Sequence, residues 1–404
     1  MRRKMLIFFL AYISTTVIVL YKLQIQAMNV ARKTVIVEKE FLSAEKGIYK
    51  KQRVKGSDVN VETKLVLLYT PIFGRMPWKG MKDTYDFIHW DDKLCPVSNC
   101  RISYNKSDLP QANAVIFHGR DMLTMTQMKQ ILPSRTPTQR WVYFMHENPH
   151  YTYYDPAIYN GLFNWTMTYR RDSDFFVPYN YYSRLKPEDM SNSERNYAEG
   201  KHKLVSWMVS HCGELRETVV RELLKYIQVD VYGPCGRKFN QSHHCDKASG
   251  NCWRIKNQYK FYLAFENKNC VDYVTEKYWY TLLESTAVPI VLGGSNYDSK
   301  VAIPGSFINI LDFSSVQALA EYLDYLDRND TAYNEYFRWR RHFKVKVSEP
   351  WTCQMCAKLN DPSSPVKVYN HLGKFWGINE SCSTKGIKRL LRADTSANLT
   401  KRLK

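Results

Sequence analysis

The 404-residue chain has the length of two to three domains. Its 44% apolar, 14% aromatic and 24% charged residues exclude a mostly disordered chain, a collagen and a coiled coil. A net charge of +19 admits a nucleic-acid binder, a membrane-surface protein or an enzyme of anionic substrates, but no dense arginine-rich arm suited to a phosphate backbone is present.

The chain opens with Arg2, Arg3 and Lys4, followed by an uncharged, largely apolar run from Met5 to Tyr21. Such a run spans about 25 Å as a helix, the short end of a membrane crossing. Its positive flank predicts a cytoplasmic tail at 1–4, a signal-anchor at 5–21 and a lumenal remainder. A cleaved signal peptide is the competing reading, but no convincing small-x-small site follows the run. Residues 22–62 are rich in Lys, Glu and Gln and read as a stem. Six Asn-x-Ser/Thr sequons, at Asn105, Asn164, Asn240, Asn329, Asn379 and Asn398, agree with a lumenal location. So do ten cysteines, read as structural disulfides, with Cys95–Cys100 and Cys353–Cys356 as local options.

Folded patterning starts at Leu65. Leu65–Tyr69, Ala114–Phe117 and Trp141–Met145 are short continuous apolar runs, the signature of strands buried on both faces in a parallel sheet. A helix is expected at Leu123–Leu132. These form one α/β unit over 63–190, and the polar stretch Lys186–Lys203 marks the boundary. A second series follows over 191–357: strands at Leu204–Val209, Val229–Tyr232, Phe261–Phe265 and Val288–Leu292 alternate with helices at Glu214–Gln228, Glu276–Thr286 and Ala318–Asp327. The remaining 358–404 is read as an extension whose basic end, after Lys385, is solvated. Two open α/β sheets leave a cleft, and ligands of such sheets sit beyond the carboxyl ends of their strands.

The chemistry is expected in the loops after those strands. Thr275 is placed as an N-cap, with Glu276 and Lys277 in the first helical turn. A lysine there opposes the helix dipole unless an anion lies nearby, the alternative being a solvated side chain. Arg216 repeats the pattern in the first turn of the earlier 214–228 helix, with local pairing to Glu217 or Glu222 as its alternative. Glu147, just beyond a buried strand, is a candidate general base, and His146 is its rival. Asp172-Ser173-Asp174 has the letters of a metal–diphosphate motif but reads as a loop feature, and no metal ligand is assigned.

The stretch 261–292 resembles the signature of the inverting α1,3-fucosyltransferases, which use GDP-fucose. Trp141–Pro149, Leu162–Pro178 and Val229–Gly233 fit the same family, as does the anchor-plus-stem layout. The resemblance covers roughly 63–357. It implies two Rossmann-like α/β domains facing a cleft (GT-B type), acceptor side at 63–190 and donor side at 191–357. It implies that Lys277, Arg216 and Tyr273 contact the diphosphate and Glu276 the ribose, while Glu266 and Asn267 shape the donor pocket. It matches Glu147 to the family's base in a Glu-Ser-Pro element, here Glu147-Asn148-Pro149 preceded by His146. The implied protein is a Golgi type II membrane enzyme that fucosylates N-acetylglucosamine of glycoprotein glycans. It requires no cofactor, with Mn²⁺ or Mg²⁺ stimulation left open, and binds no nucleic acid. A catalytically silent glycan-binding protein on the same fold is the alternative. The sequence leaves the acceptor and the oligomeric state undetermined.

Overall fold

The computed structural model describes residues 62–79, 81, 87, 94–190, 195–245, 251–347 and 351–402. The expected tail and anchor, and all but the last residue of the stem, lie outside them. Among the described residues, no helix is long and apolar enough to cross a membrane.

Two parallel sheets form the framework. In the first, β1 (Lys64–Leu68), β2 (Cys100–Ser103), β3 (Ala114–His118), β4 (Arg140–Met145), β5 (Trp165–Thr168) and β6 (Phe175–Phe176) lie in the order β2-β1-β3-β4-β5-β6. β7 (Asn180–Arg184) leaves this sheet to pair with a late strand. The second sheet comprises β8 (Lys203–Met208), β9 (Val229–Tyr232), β10 (Tyr259–Phe265), β11 (Val288–Leu292) and β12 (Ile308–Asn309), in the order β12-β11-β10-β8-β9. β13 (Phe343–Val347) returns antiparallel to β7, bridging the ends of the two units.

The continuous apolar runs are explained by burial on both faces. In the first sheet, Leu65, Leu67, Val115, Phe117, Trp141 and Tyr143 pack on one side. Their neighbours Val66, Leu68, Ala114, Ile116, Val142 and Phe144 pack on the other. The second sheet repeats this, with Phe261, Leu263 and Phe265 on one side and Tyr262 and Ala264 on the other. Strand order reverses between β1 and β3 in one sheet and between β8 and β10 in the other, and each reversal opens a crevice at the strands' carboxyl ends.

Several expectations need correction. The helix expected over 214–228 spans only Arg216–Leu223, and the chain then tightens into i→i+3 turns such as Tyr226 N to Leu223 O. The local disulfides do not form. Cys95 pairs with Cys353 and Cys100 with Cys356, so helix Trp351–Leu359 is stapled onto the first sheet and shares its core. The other bridges are Cys212–Cys235, Cys245–Cys252 and Cys270–Cys382. The basic end is not simply a solvated tail. Lys385–Arg402 is helical, and Ile387 and Leu390 are buried in the second sheet's core. Just before it, Leu372 and Trp376 are buried in the first sheet's core, so this segment packs on both units in succession.

Candidate active site

The loops following β4, β8 and β10 converge. Glu147 lies two residues past β4, and its Oε2 accepts a 2.8 Å hydrogen bond from the hydroxyl of Tyr273, which follows β10. Tyr273 is fully buried against Tyr169, and burial holds its phenol well above the usual range, so it stays a donor. Beside this pair, buried Asn148 donates to Asn267 at 3.2 Å, and Asn267 donates to the Tyr151 hydroxyl at 3.2 Å. Arg171 bridges Asp272 and Asp298 at 3.0 and 3.1 Å. These contacts tie the first sheet's loops to the segment 267–273.

His146 points elsewhere. Its ring stacks on Tyr179 with centroids 4.2 Å apart, and Tyr179 donates to its carbonyl. Burial pushes its imidazole down to about 4, so it is a weak base at neutral pH.

Glu266 closes β10 and is 1% exposed. Its carboxylate accepts from the Thr275 backbone N–H at 2.8 Å and from the Thr275 hydroxyl at 2.9 Å. Thr275 does precede helix Glu276–Glu284, but its hydroxyl serves Glu266 and makes no capping bond to the helix. Lys277 Nζ reaches Glu266 at 3.1 Å and Glu276 at 3.2 Å. This explains how a lysine is tolerated in the first turn: two carboxylates offset the helix dipole. Burial alone would lower Lys277, but Glu266 and Glu276 hold it above its ordinary value. Burial raises Glu266, opposed by Lys277. Glu276 is exposed, and although burial raises its carboxyl, Lys277 holds it below its ordinary value.

Arg216 is buried and pairs with neither Glu217 nor Glu222. Its guanidinium donates to the carbonyls of Phe265 at 2.7 Å and His211 at 3.1 Å and lies 5.6 Å from the Trp207 ring centroid. Its Nε has no hydrogen-bond partner. Arg216, Glu266 and Asn267 line one cavity of about 210 Å³, whose wall also includes Lys268, Ile378 and Ser383. Lys268 is paired with Glu214 at 2.7 Å.

Asp172-Ser173-Asp174 is occupied structurally. Asp172 pairs with Arg170 at 2.6 Å, and half-buried Asp174 pairs with Lys367 at 2.7 Å and accepts from Tyr369. Cys212, Glu217 and Cys235 are close together, but the two sulfurs are bonded to each other, which removes them as metal ligands. Of the sequons, Asn105, Asn240 and Asn379 are exposed and Asn329 is partly buried. Asn164 is 4% exposed, and its Nδ2, the atom a glycan would occupy, donates to Lys367 O at 2.9 Å. The side chain of Asn398 lies outside the described residues. The sequence reading missed the Tyr273–Glu147 bond, the Asn148–Asn267 link and the C-terminal wall of the cavity. The Cys at 270, matched to Cys382, was the available signal for that wall.

Residues 61–180 match the family described as Fucosyltransferase, N-terminal, and residues 198–376 match Glycosyltransferase family 10 (fucosyltransferase) C-term. Alpha-(1,3)-fucosyltransferase C of Drosophila melanogaster is 35% identical over 353 residues, covering 81% of this chain and 80% of that protein. The chain belongs to glycosyltransferase family 10, the fucosyltransferases. Alpha-(1,3)-fucosyltransferase 4 of Mus musculus is 35% identical over 68% of this chain and 71% of its own length. Glycoprotein 3-alpha-L-fucosyltransferase A of Drosophila melanogaster is 34% identical over 80% of this chain and 62% of its own. A crystal structure of an alpha1,3-fucosyltransferase aligns with a TM-score of 0.42 and 16% identity over 80% of this chain and 89% of that one. Membership makes this chain a glycosyltransferase, with the converging loops as its candidate active site.

Proposed function

We propose that this family 10 enzyme transfers L-fucose from GDP-β-L-fucose, in α1,3 linkage and with inversion, to N-acetylglucosamine of glycoprotein glycans. The observation that carries the reading is Glu147, fixed by Tyr273 where the β4 and β10 loops meet, near a cavity containing Arg216 and Glu266. The names of the relatives support the linkage, and one of them specifies a glycoprotein acceptor.

In this reading the acceptor hydroxyl lies against Glu147, which takes its proton as the oxygen attacks the fucose anomeric carbon. The GDP leaves from the opposite face, and the configuration inverts. Tyr273 aims the base. The depressed basicity of His146 favours Glu147 for this role. Negative charge developing on the departing diphosphate is stabilised by Arg216, whose Nε is unpartnered, and by Lys277. The cavity of about 210 Å³ suits the diphosphate portion, with the rest of the nucleotide in the open cleft. No cofactor is assigned a step, and Mn²⁺ or Mg²⁺ addition tests for stimulation. The N-terminal apolar run and the sequons support a Golgi type II membrane location.

The test is linkage-resolved fucose transfer from GDP-fucose by residues 63–404, against N-glycan cores and terminal disaccharides, with and without divalent ions. Transfer to O3 of N-acetylglucosamine supports the proposal. Glycan binding with no transfer to any acceptor would support the silent, glycan-binding alternative.

A further inference from the structure

Beside the cavity that holds Arg216 lies a larger one of about 650 Å³, within the roughly 300–1,000 Å³ range of small-ligand sites. His150 and Ile378 border both, so the two adjoin. His150 is also three residues beyond Glu147, which places the larger cavity beside the acceptor side of the reaction.

Its lining suits a sugar. Tyr153, Asp155, Asn160, His371, Lys374 and Glu380 offer an aromatic ring, carboxylates, an amide and an ammonium around one space. Sugars are recognised by such a mixture, their C–H faces lying on aromatic rings and their hydroxyls bonding polar groups. Tyr153 is 69% exposed and holds a left-handed backbone at φ 62°. A bulky exposed side chain in that region is uncommon, and such strain clusters at ligand-binding sites. The charge balance selects the ligand further. Asp155 and Glu380 outnumber Lys374, so the cavity opposes an acidic sugar.

We infer that this cavity is a second saccharide subsite, which takes a neutral branch of the acceptor glycan while the reacting sugar lies at Glu147. The inference rests on the fucosyl-transfer reading and specifies its acceptor: a branched, uncharged oligosaccharide held at two points. The C-terminal segment 371–380 supplies one wall, which gives that segment a role in acceptor choice.

The test uses Tyr153→Ala and the double variant Lys374→Ala/Glu380→Ala. Tyr153, Lys374 and Glu380 are all exposed. Rates are measured with a disaccharide acceptor and with a neutral biantennary N-glycan presenting the same reacting sugar. The expected result is a rise of about tenfold in KM for the N-glycan, the factor produced by about 1.4 kcal/mol of lost binding. KM for GDP-fucose and for the disaccharide, and kcat, stay unchanged. A sialylated biantennary glycan should bind the parent enzyme more weakly than the neutral one. Equal effects on both acceptors, or none on the N-glycan, would overturn the subsite. Saturation-transfer NMR of the neutral glycan reads the subsite independently of transfer. Contacts from the branch distant from the reacting sugar, lost in Tyr153→Ala, support it even if no fucose is moved. Their absence from the parent protein overturns it.

Discussion

Removing the charge of Lys277 while keeping its length, as in Lys277→Met, should damage both stability and activity, for separable reasons. Glu266 is fully buried, and its charged partner is Lys277 at 3.1 Å. Breaking such a pair leaves a buried charge uncompensated and costs about 3–5 kcal/mol. The Lys277 side chain is 22% exposed, so the lower end, about 3 kcal/mol, applies. At roughly 2–4 °C per kcal/mol this lowers Tm by about 6–12 °C. Without Lys277, burial pushes the Glu266 carboxyl further up. A carboxyl whose folded-state pKa is raised loses stability as pH rises from its unfolded value to its folded one, so the Tm deficit should be smaller at pH 5 than at pH 7. Glu266→Gln/Lys277→Met removes both charges and should recover most of the stability. Activity should not recover, because the ammonium proposed to face the diphosphate is still missing, a loss of about 10²–10³ in rate. Scanning calorimetry and GDP-fucose turnover on the three variants decide this. An unchanged Tm in Lys277→Met, or restored turnover in the double variant, would refute the reasoning.

The remaining predictions concern the base, its neighbour, the C-terminal wall and the sequons. Tyr273→Phe should lower kcat with little change in KM for GDP-fucose, because the hydroxyl that the family resemblance assigned to the diphosphate is instead bonded to Glu147 and does not line the Arg216 cavity; steady-state kinetics check this. His146 is kept neutral by burial, with its pKa near 4 against an ordinary 6.5, so stability should fall as pH drops from about 6.5 toward 4, by about 1.4 kcal/mol per unit at most. His146→Gln should flatten that dependence in calorimetry. Cys270→Ser/Cys382→Ser opens a bridge across 112 residues and should cost about 2–5 kcal/mol, with a lower Tm and weaker donor binding, because residues 378–387 wall the Arg216 cavity. Glycopeptide mass spectrometry should find Asn105 or Asn240 occupied and Asn164 bare; a glycan on Asn164 of the folded protein would contradict its buried hydrogen bonds.

The sheets were legible because strands buried on both faces appear as unbroken apolar runs. Val229–Tyr232 and Val288–Leu292 were read with their observed bounds. β2 and β5 were not read, since Cys-Arg-Ile-Ser and Trp-Thr-Met-Thr carry polar residues that the fold satisfies through distant partners. Thr166, for example, bonds Asp174 and Tyr369. At the site, Arg216, Glu266 and Asn267 share a cavity, as their positions after buried strands suggested. The pairings were not legible. Lys277 finds Glu266 across a turn, Tyr273 finds Glu147 across 126 positions, and Cys95 finds Cys353 across 258. Such contacts depend on tertiary packing, within each unit and between them, which no local pattern encodes. The C-terminal segment was misread for the same reason: Leu372, Trp376, Ile387 and Leu390 are too sparse to mark a core, yet each is buried in one.

The most direct test of the central claim is single-turnover transfer from GDP-fucose by residues 63–404 and by their Glu147→Gln counterpart, with donor binding measured in parallel. The account predicts fucose on O3 of N-acetylglucosamine for the parent, and for Glu147→Gln a collapse of the chemical step with GDP-fucose affinity preserved. Full turnover by Glu147→Gln would contradict it.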